Sequence, residues 1–348
     1  MSVEIVKILV DCWPESLQQR NEGGRLPIHC LCRVPDVNGA GLTASGVLHL
    51  LVKMYPESVR EVNGVGYLPI HIAARWRSPE FCKVLIDAYP ESLRVGVEVE
   101  GLFPIHSACL ETRIDTAKYL LDLYPERTNV RSSHGTLPIH HASTIESEEK
   151  VEMIKWLLTE DPDCASKVGP SGELPIHRAC MFNKSVLKAV QLLFDAHPEG
   201  IFAHDGDGET PLDMARSGGM SDIVDVVSFL ETQLVYAQQA QDSAIMSGNN
   251  GMLPLHTALK EKASLGAIKL LVKGNPAALQ MTDSRGVLPI HIACSCSTVG
   301  VVKFLAELFD GCLNSGDANG DFALHFACRG GNCGVVRYLL EEQTAGVS

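Results

Sequence analysis

Histidine and cysteine recur together in this chain. His29/Cys32, His106/Cys109, His177/Cys180, His291/Cys294 and His325/Cys328 are spaced i and i+3, which on a helix puts both side chains on one face. Two chemistries use such a pair: zinc ligation, and a thiolate activated by imidazole. Zinc needs four ligands about 2.0–2.3 Å from one point, whereas neighbouring helices lie about 8–10 Å apart, so one pair cannot be completed by the next. An activated nucleophile is ordinarily unique, yet this position recurs and is held in other copies by Ala74, Ser143 and Leu259. Small or apolar filler is the common property. The pairs are expected to pack a core, the imidazoles serving as structural hydrogen-bonders between repeats, with no catalytic, cofactor-binding or metal-binding residue.

Each pair sits inside a longer signal, Gly-x-Leu-Pro-Ile-His, written nine times. Its glycines are Gly24, Gly66, Gly101, Gly135, Gly172, Gly208, Gly251, Gly286 and Gly320, and its prolines fall 42, 35, 34, 37, 36, 43 and 35 residues apart. Ala323 replaces the proline in the ninth copy. Glycine supplies a positive φ for a tight turn. Proline suits the first position of a helix, where its missing N–H is not needed. A short helix with small residues follows, then a second helix apolar at i, i+3, i+4 and i+7, as in FCKVLIDAY from Phe81. WPES, YPES, YPER and HPEG signals, such as those at Trp13, Tyr55, Tyr89, Tyr124 and His197, stop the second helix with a proline. One such unit cannot bury both helix faces alone, so neighbours are expected to stack.

These residues resemble the ankyrin repeat signature Gly-x-Thr-Pro-Leu-His-x-Ala-Ala. GETPLDMA from Gly208 comes nearest, with Asp213 in place of histidine. The resemblance covers about residues 2–342 and implies an all-α ankyrin-repeat solenoid of helix-turn-helix units. A single solenoid, 1–348, is expected: an N-terminal half-repeat at 2–20, then repeats at 21–62, 63–97, 98–131, 132–168, 169–204, 205–247, 248–282, 283–316 and 317–343. A tetratricopeptide array shares the period but has no need of a Gly-x-x-Pro turn.

Three departures from the signature stand out. Leu or Phe replaces Thr before the proline in eight copies, removing a side-chain cap worth about 1 kcal/mol; apolar packing is expected to substitute. The aromatic-Pro-Glu-Ser signal leaves the path of the following loop open. Insertions occur at 34–46, expected to be a loop, and at 232–250, expected to be an extended helix plus loop.

Composition excludes several functions. Net charge is 29 − 42 = −13, without the cationic surplus that nucleic acid or an anionic membrane requires. Twelve cysteines over 348 residues, with no secretory signal, predict reduced thiols. They also predict a soluble cytoplasmic protein, the nucleus being equally open. The Asn183-Lys184-Ser185 glycosylation match is then fortuitous. DGDGE at 205–209 begins like a calcium loop but has Thr210 and Arg216 where glycine and glutamate are wanted. No GxSxG, Walker A or HExxH string occurs, so a non-enzymatic protein-binding scaffold is expected. Its rival is a structural spacer, or a fragment of a larger protein whose effector domain lies elsewhere.

In ankyrin folds partners meet the turn tips and the concave side of the first helices. The corresponding positions follow the turn glycine and lie four and five beyond the histidine. They place Tyr67, Arg75, Trp76, Leu102, Leu110, Glu111, Ile145, Met181 and Phe182 on a face expected to meet water, with Trp76, Arg75 and Phe182 as anchors for a protein partner. At the start of the chain, Val3, Ile5, Val6, Ile8 and Leu9 are expected to form an exposed apolar end capable of self-association.

Overall fold

The computed structural model describes residues 3–35, 40–97, 101–111, 113–125, 129–144, 149–181, 187–217, 224–242, 252–309 and 311–345. Ile145, Phe182, the 183–185 triplet, Gly251 and the insertion residues 36–39 and 243–250 lie outside them. The described residues contain helices and turns and no strand. They divide into two compact units, Met1–Leu192 with His204–Ile223, and Leu193–Ala203 with Val224–Ser348.

In the first unit a lone helix α1 (Val3–Cys12) precedes the pairs α2 (Pro27–Cys32) and α3 (Ala40–Met54), α4 (Pro69–Trp76) and α5 (Pro79–Ala88), and α6 (Pro104–Leu110) and α7 (Ile114–Leu123). Then come α8 (Pro138–Ala142) and α9 (Glu149–Glu160), α10 (Pro175–Met181) and α11 (Leu187–Ala196), whose residues from Leu193 on belong to the second unit, and α12 (Pro211–Ser217). The second unit holds α13 (Val224–Asp242), α14 (Pro254–Lys260), α15 (Leu265–Gly274), α16 (Pro289–Cys296), α17 (Val299–Leu308), α18 (Ala323–Arg329) and α19 (Cys333–Ala345). Every described motif proline opens its helix. The residue before it is extended, as Leu68 is at φ −69°, ψ 158°, because the pyrrolidine ring excludes the helical region there.

First helices stack on first helices, α2 on α4, α4 on α6, α6 on α8 and α10 on α12, and in the second unit α14 on α16 and α16 on α18. Second helices do likewise, α1 on α3, α3 on α5 and α5 on α7. Leu26, Ile28, Leu68, Ile70, Ile105, Leu137, Ile139, Leu174 and Ile176 are buried at the centre of the first unit. Cys32, Cys82, Cys109, Cys164 and Cys180 fill the gaps between them.

Adjacent turns are hydrogen-bonded. Gly64 N donates to Gly23 O at 3.1 Å and Gly206 N to Ser171 O at 2.5 Å. Two features of Gly101 exclude a side chain: its φ of +59°, and a Cβ position only 2.2 Å from Ser133 N. Within five of the described turns an Asn or Asp side chain takes the place of water. Asn63 Oδ1 accepts the amides of Val65 and Tyr67 at 3.0 Å each, and Asp205 Oδ1 accepts those of Asp207 and Glu209 at 3.0 and 2.9 Å. DGDGE is therefore an acidic turn of this kind.

The aromatic-Pro-Glu-Ser segments form single 3-10 turns, including Pro14–Gln18, Pro56–Val59, Pro90–Arg94 and Pro198–Phe202. Tyr55 and Tyr89 leave the helix at ψ 80°, and the Ser58 hydroxyl closes the turn on Tyr55 O at 2.6 Å. Arginines bind this side of the stack, Arg60 over the Tyr89 ring at 5.0 Å and Arg94 over Tyr124 at 4.7 Å.

Two expectations need correcting. The first insertion is not a loop throughout, because residues 40–46 lengthen α3 at its start. Gly46 belongs to that extension because a Cβ there would lie 2.9 Å from Val3 Cγ2 of α1. At the chain start, Val6 is not exposed but buried with Val10, since α1 packs on α3; Ile5, Ile8, Leu9 and Trp13 are exposed. The second insertion does continue α13 in helix as far as Asp242.

Candidate functional site

Most motif histidines use Nδ1 to hold the start of their own helix and several also use Nε2, whereas Nδ1 of His71 and Nε2 of His140 are buried without a partner. Nδ1 of His29, His106, His140, His177, His256, His291 and His325 accepts the backbone N–H of the residue before the motif proline at 3.0–3.3 Å. A backbone amide can only donate, so each of these rings carries its proton on Nε2. That proton reaches the segment leading into the next turn: His29 Nε2 lies 3.0 Å from Glu61 O, His106 Nε2 3.1 Å from Val130 O and His291 Nε2 2.8 Å from Ser315 O, each at the end of the same repeat, while His106 Nε2 also lies 3.2 Å from Thr136 O and His256 Nε2 3.2 Å from Val287 O, both in the following repeat. The lost threonine cap is thus replaced by the imidazole as well as by the packed leucine. Where the sixth copy keeps Thr210, Asp213 stands at the histidine position, and a reciprocal capping box forms. Thr210 N donates to Asp213 Oδ2 at 3.1 Å and Asp213 N to Thr210 Oγ1 at 3.2 Å.

Burial holds four of the motif imidazoles neutral. It lowers His29, His71, His106 and His140 to about 4. The same burial raises the thiols, Cys180 and Cys294 to about 12 and Cys32 well above its usual value, so none of the three is a nucleophile at neutral pH. All twelve cysteines are free. Among the described residues no three His, Cys, Asp or Glu converge as metal ligands. In the ninth copy His325 and Cys328 are exposed instead of buried.

Four of the nine expected partner-face residues come together. Tyr67, Arg75, Leu102 and Leu110 line a hollow of about 710 Å³ in the first unit, completed by His134, Thr136, His141, Pro170 and Arg178. Its apolar floor differs from the expectation in one respect. Leu102 does not face water but is 4 % exposed, and Thr136, Glu173 and Val287 are buried at the same position, whereas Tyr67 is half-buried and Glu209 exposed. Arg75 and Glu111, both expected to meet a partner, meet each other, Nε and Nη2 donating to one carboxylate oxygen at 2.8 and 2.5 Å. The guanidinium also lies 5.4 Å from the Trp76 ring, and Trp76 is half-buried beneath it. Met181 is exposed and lines a second hollow of about 320 Å³ with Thr144, Ser171, Glu173, Arg178, Asp205, Asp207 and Met214.

Sequence reasoning missed the residue directly after the motif histidine. In the fourth and fifth copies this is His141 and Arg178, and both face the larger hollow. The signal was legible: these two copies read PIHHA and PIHRA, where others have Cys30, Ile72, Ser107 or Ile292. His141 Nε2 lies 2.9 Å from Thr136 Oγ1, and its ring stands edge-on to His106 at 5.4 Å. Burial first, then the neighbouring His106 and Arg178, lower it to about 3. Arg178 donates through Nε and Nη2 to Glu173 Oε1 at 2.9 and 2.6 Å. The other oxygen of Glu173 accepts Ser171 N at 2.8 Å.

No helix among the described residues is long and apolar enough to cross a membrane. A search among curated proteins returns no match. The family model for ankyrin repeats matches at residues 38–132, 70–168 and 255–347, more than half of the chain. Together with the helix pairs, the glycine turns and the histidine ties, that match establishes that the chain belongs to the ankyrin repeat family.

Proposed function

We propose that the chain is a non-enzymatic scaffold that binds a protein partner through the turn tips and first helices of the second to fifth repeats. Ankyrin repeats are in general protein–protein interaction domains, and only ankyrin repeats are recognised in this chain. The observation that carries the reading is the hollow floored by Leu102, Leu110 and Pro170 and rimmed by Tyr67, Arg75, His141 and Arg178. It joins an apolar base to fixed hydrogen-bond donors, the combination that defines recognition pockets. Aromatic and arginine side chains in such a setting dominate binding energies.

Leu110→Glu places a charge on the floor, and Tyr67→Ala removes the rim. Cross-linking mass spectrometry of cell extract with wild type and both variants tests the role of the groove. Partners lost from both variants at unchanged melting temperature support the reading. Identical partner sets for all three proteins refute the groove as the site and favour a spacer.

A further inference from the structure

The two hollows of the first unit carry opposite charge. Arg75 and Arg178 face the larger one together with His134 and His141, and no carboxylate lines it among the described residues. Each arginine gives its glutamate the Nε and Nη2 edge of the guanidinium, so the pairing uses one edge of a five-donor fork. The smaller hollow reverses the balance, with the carboxylates of Glu173, Asp205 and Asp207 against the one guanidinium of Arg178. Met181 and Met214 form its apolar wall. Thioether walls adapt to flexible aliphatic stems, and a lysine or arginine buries such a stem while its charged head seeks carboxylates. Arg178 borders both hollows.

We propose that this surface takes an extended peptide segment with an apolar residue and an adjacent carboxylate in the larger hollow and a lysine or arginine in the smaller one. The inference rests on the groove being the binding site and adds the charge order of the occupant. The hollows share one arginine side chain, so the two charged residues of the peptide lie about two or three positions apart at roughly 3.3 Å per residue. A segment with the charges exchanged meets like charge at both ends, which costs affinity more than a neutral segment would.

The test uses the full chain and a phage-displayed random dodecamer library, with Leu110→Glu and Asp205→Asn/Asp207→Asn as comparison proteins. The amide at 205 keeps the Oδ1 that accepts the turn amides, and Asp207→Asn alone, at an exposed position, serves if the double variant melts early. The expected consensus contains an acidic residue next to an apolar one and a lysine or arginine within about three positions. A synthetic peptide of that consensus should bind the Asp→Asn variant about tenfold more weakly. The same peptide with norleucine for its basic residue should bind wild type and variant equally. Selected peptides that need Leu110 but lack either charge, or that lose equal affinity with and without the basic residue, overturn the charge order and leave the groove intact. Peptides that bind Leu110→Glu as well as wild type, or no enrichment over that variant, overturn the groove itself.

Discussion

Lowering the pH from 7 to 5 should dismantle the first unit, and the histidine ties set the size of the effect. His29, His71, His106 and His140 are held at about 4, against about 6.5 for an unfolded imidazole. The folded values are depressed, so at pH 5 the unfolded chain binds protons that the native one does not. Stability is complete above about pH 6.5 and is lost as the pH falls towards 4. Each ring costs roughly 2 kcal/mol at pH 5, and the nominal sum over four, about 8 kcal/mol, matches the whole stability of an ordinary domain. In His29, His106 and His140 the structural cause is specific: a second proton would land on Nδ1, the atom that accepts the helix-starting amide.

Urea denaturation followed by circular dichroism at pH 7.0, 6.0 and 5.0 measures the slope. Hydrogen exchange then locates it. The amides of Leu26, Phe103 and Leu137, which donate to imidazole, should lose protection before that of Thr210, which donates to Asp213. The hydrogen bonds from Thr210 already hold the Asp213 carboxyl below its usual range. A urea midpoint unchanged between pH 7 and 5, or Thr210 opening together with the others, would refute the argument.

Two further outcomes follow from packing. Gly101→Ala must enter a left-handed backbone and meet Ser133 N, so it should lower the melting temperature severely, whereas Gly320→Ala, at φ +80° with nothing within 4 Å, should cost only about 1 kcal/mol. Thermal melts of the two variants decide this, and equal losses would contradict it. Of the twelve thiols, Cys12, Cys30, Cys328 and Cys333 are exposed, so a thiol reagent on native protein should label these four rapidly and the seven buried ones only on unfolding. Rapid labelling of Cys109 or Cys180 would show that the core is open.

The repeat, its helix pairs and its turn glycines were legible because each rests on local chemistry: a positive φ, a proline at a helix start, an apolar period. Half of the role of the histidines was legible too. Their service as structural hydrogen-bonders was expected, and His106 and His256 do reach the next repeat, whereas their capping of their own helix was not expected, although the joint exchange to Thr210 and Asp213 in one copy pointed to it. The site was read less well because its members are set by neighbours one repeat away. Arg75 looked like a free anchor until Glu111, 36 positions on, was found paired with it. Leu102 looked outward but is buried. His141 and Arg178 sit at a position that is small or apolar in most copies and so drew no notice.

An imidazole ring is a rigid strut, and here its two ends fix the gap between the opening of a helix and the segment that leads into the next turn. Length can therefore be added to this chain only away from the ends of a strut. Both insertions obey that restriction: one lies between α2 and the body of α3, the other extends α13 and the segment after it, and neither enters a Gly-to-His stretch. A whole module excised or duplicated at equivalent points would leave every strut its two ends, whereas one residue added between a turn glycine and its histidine would strand them.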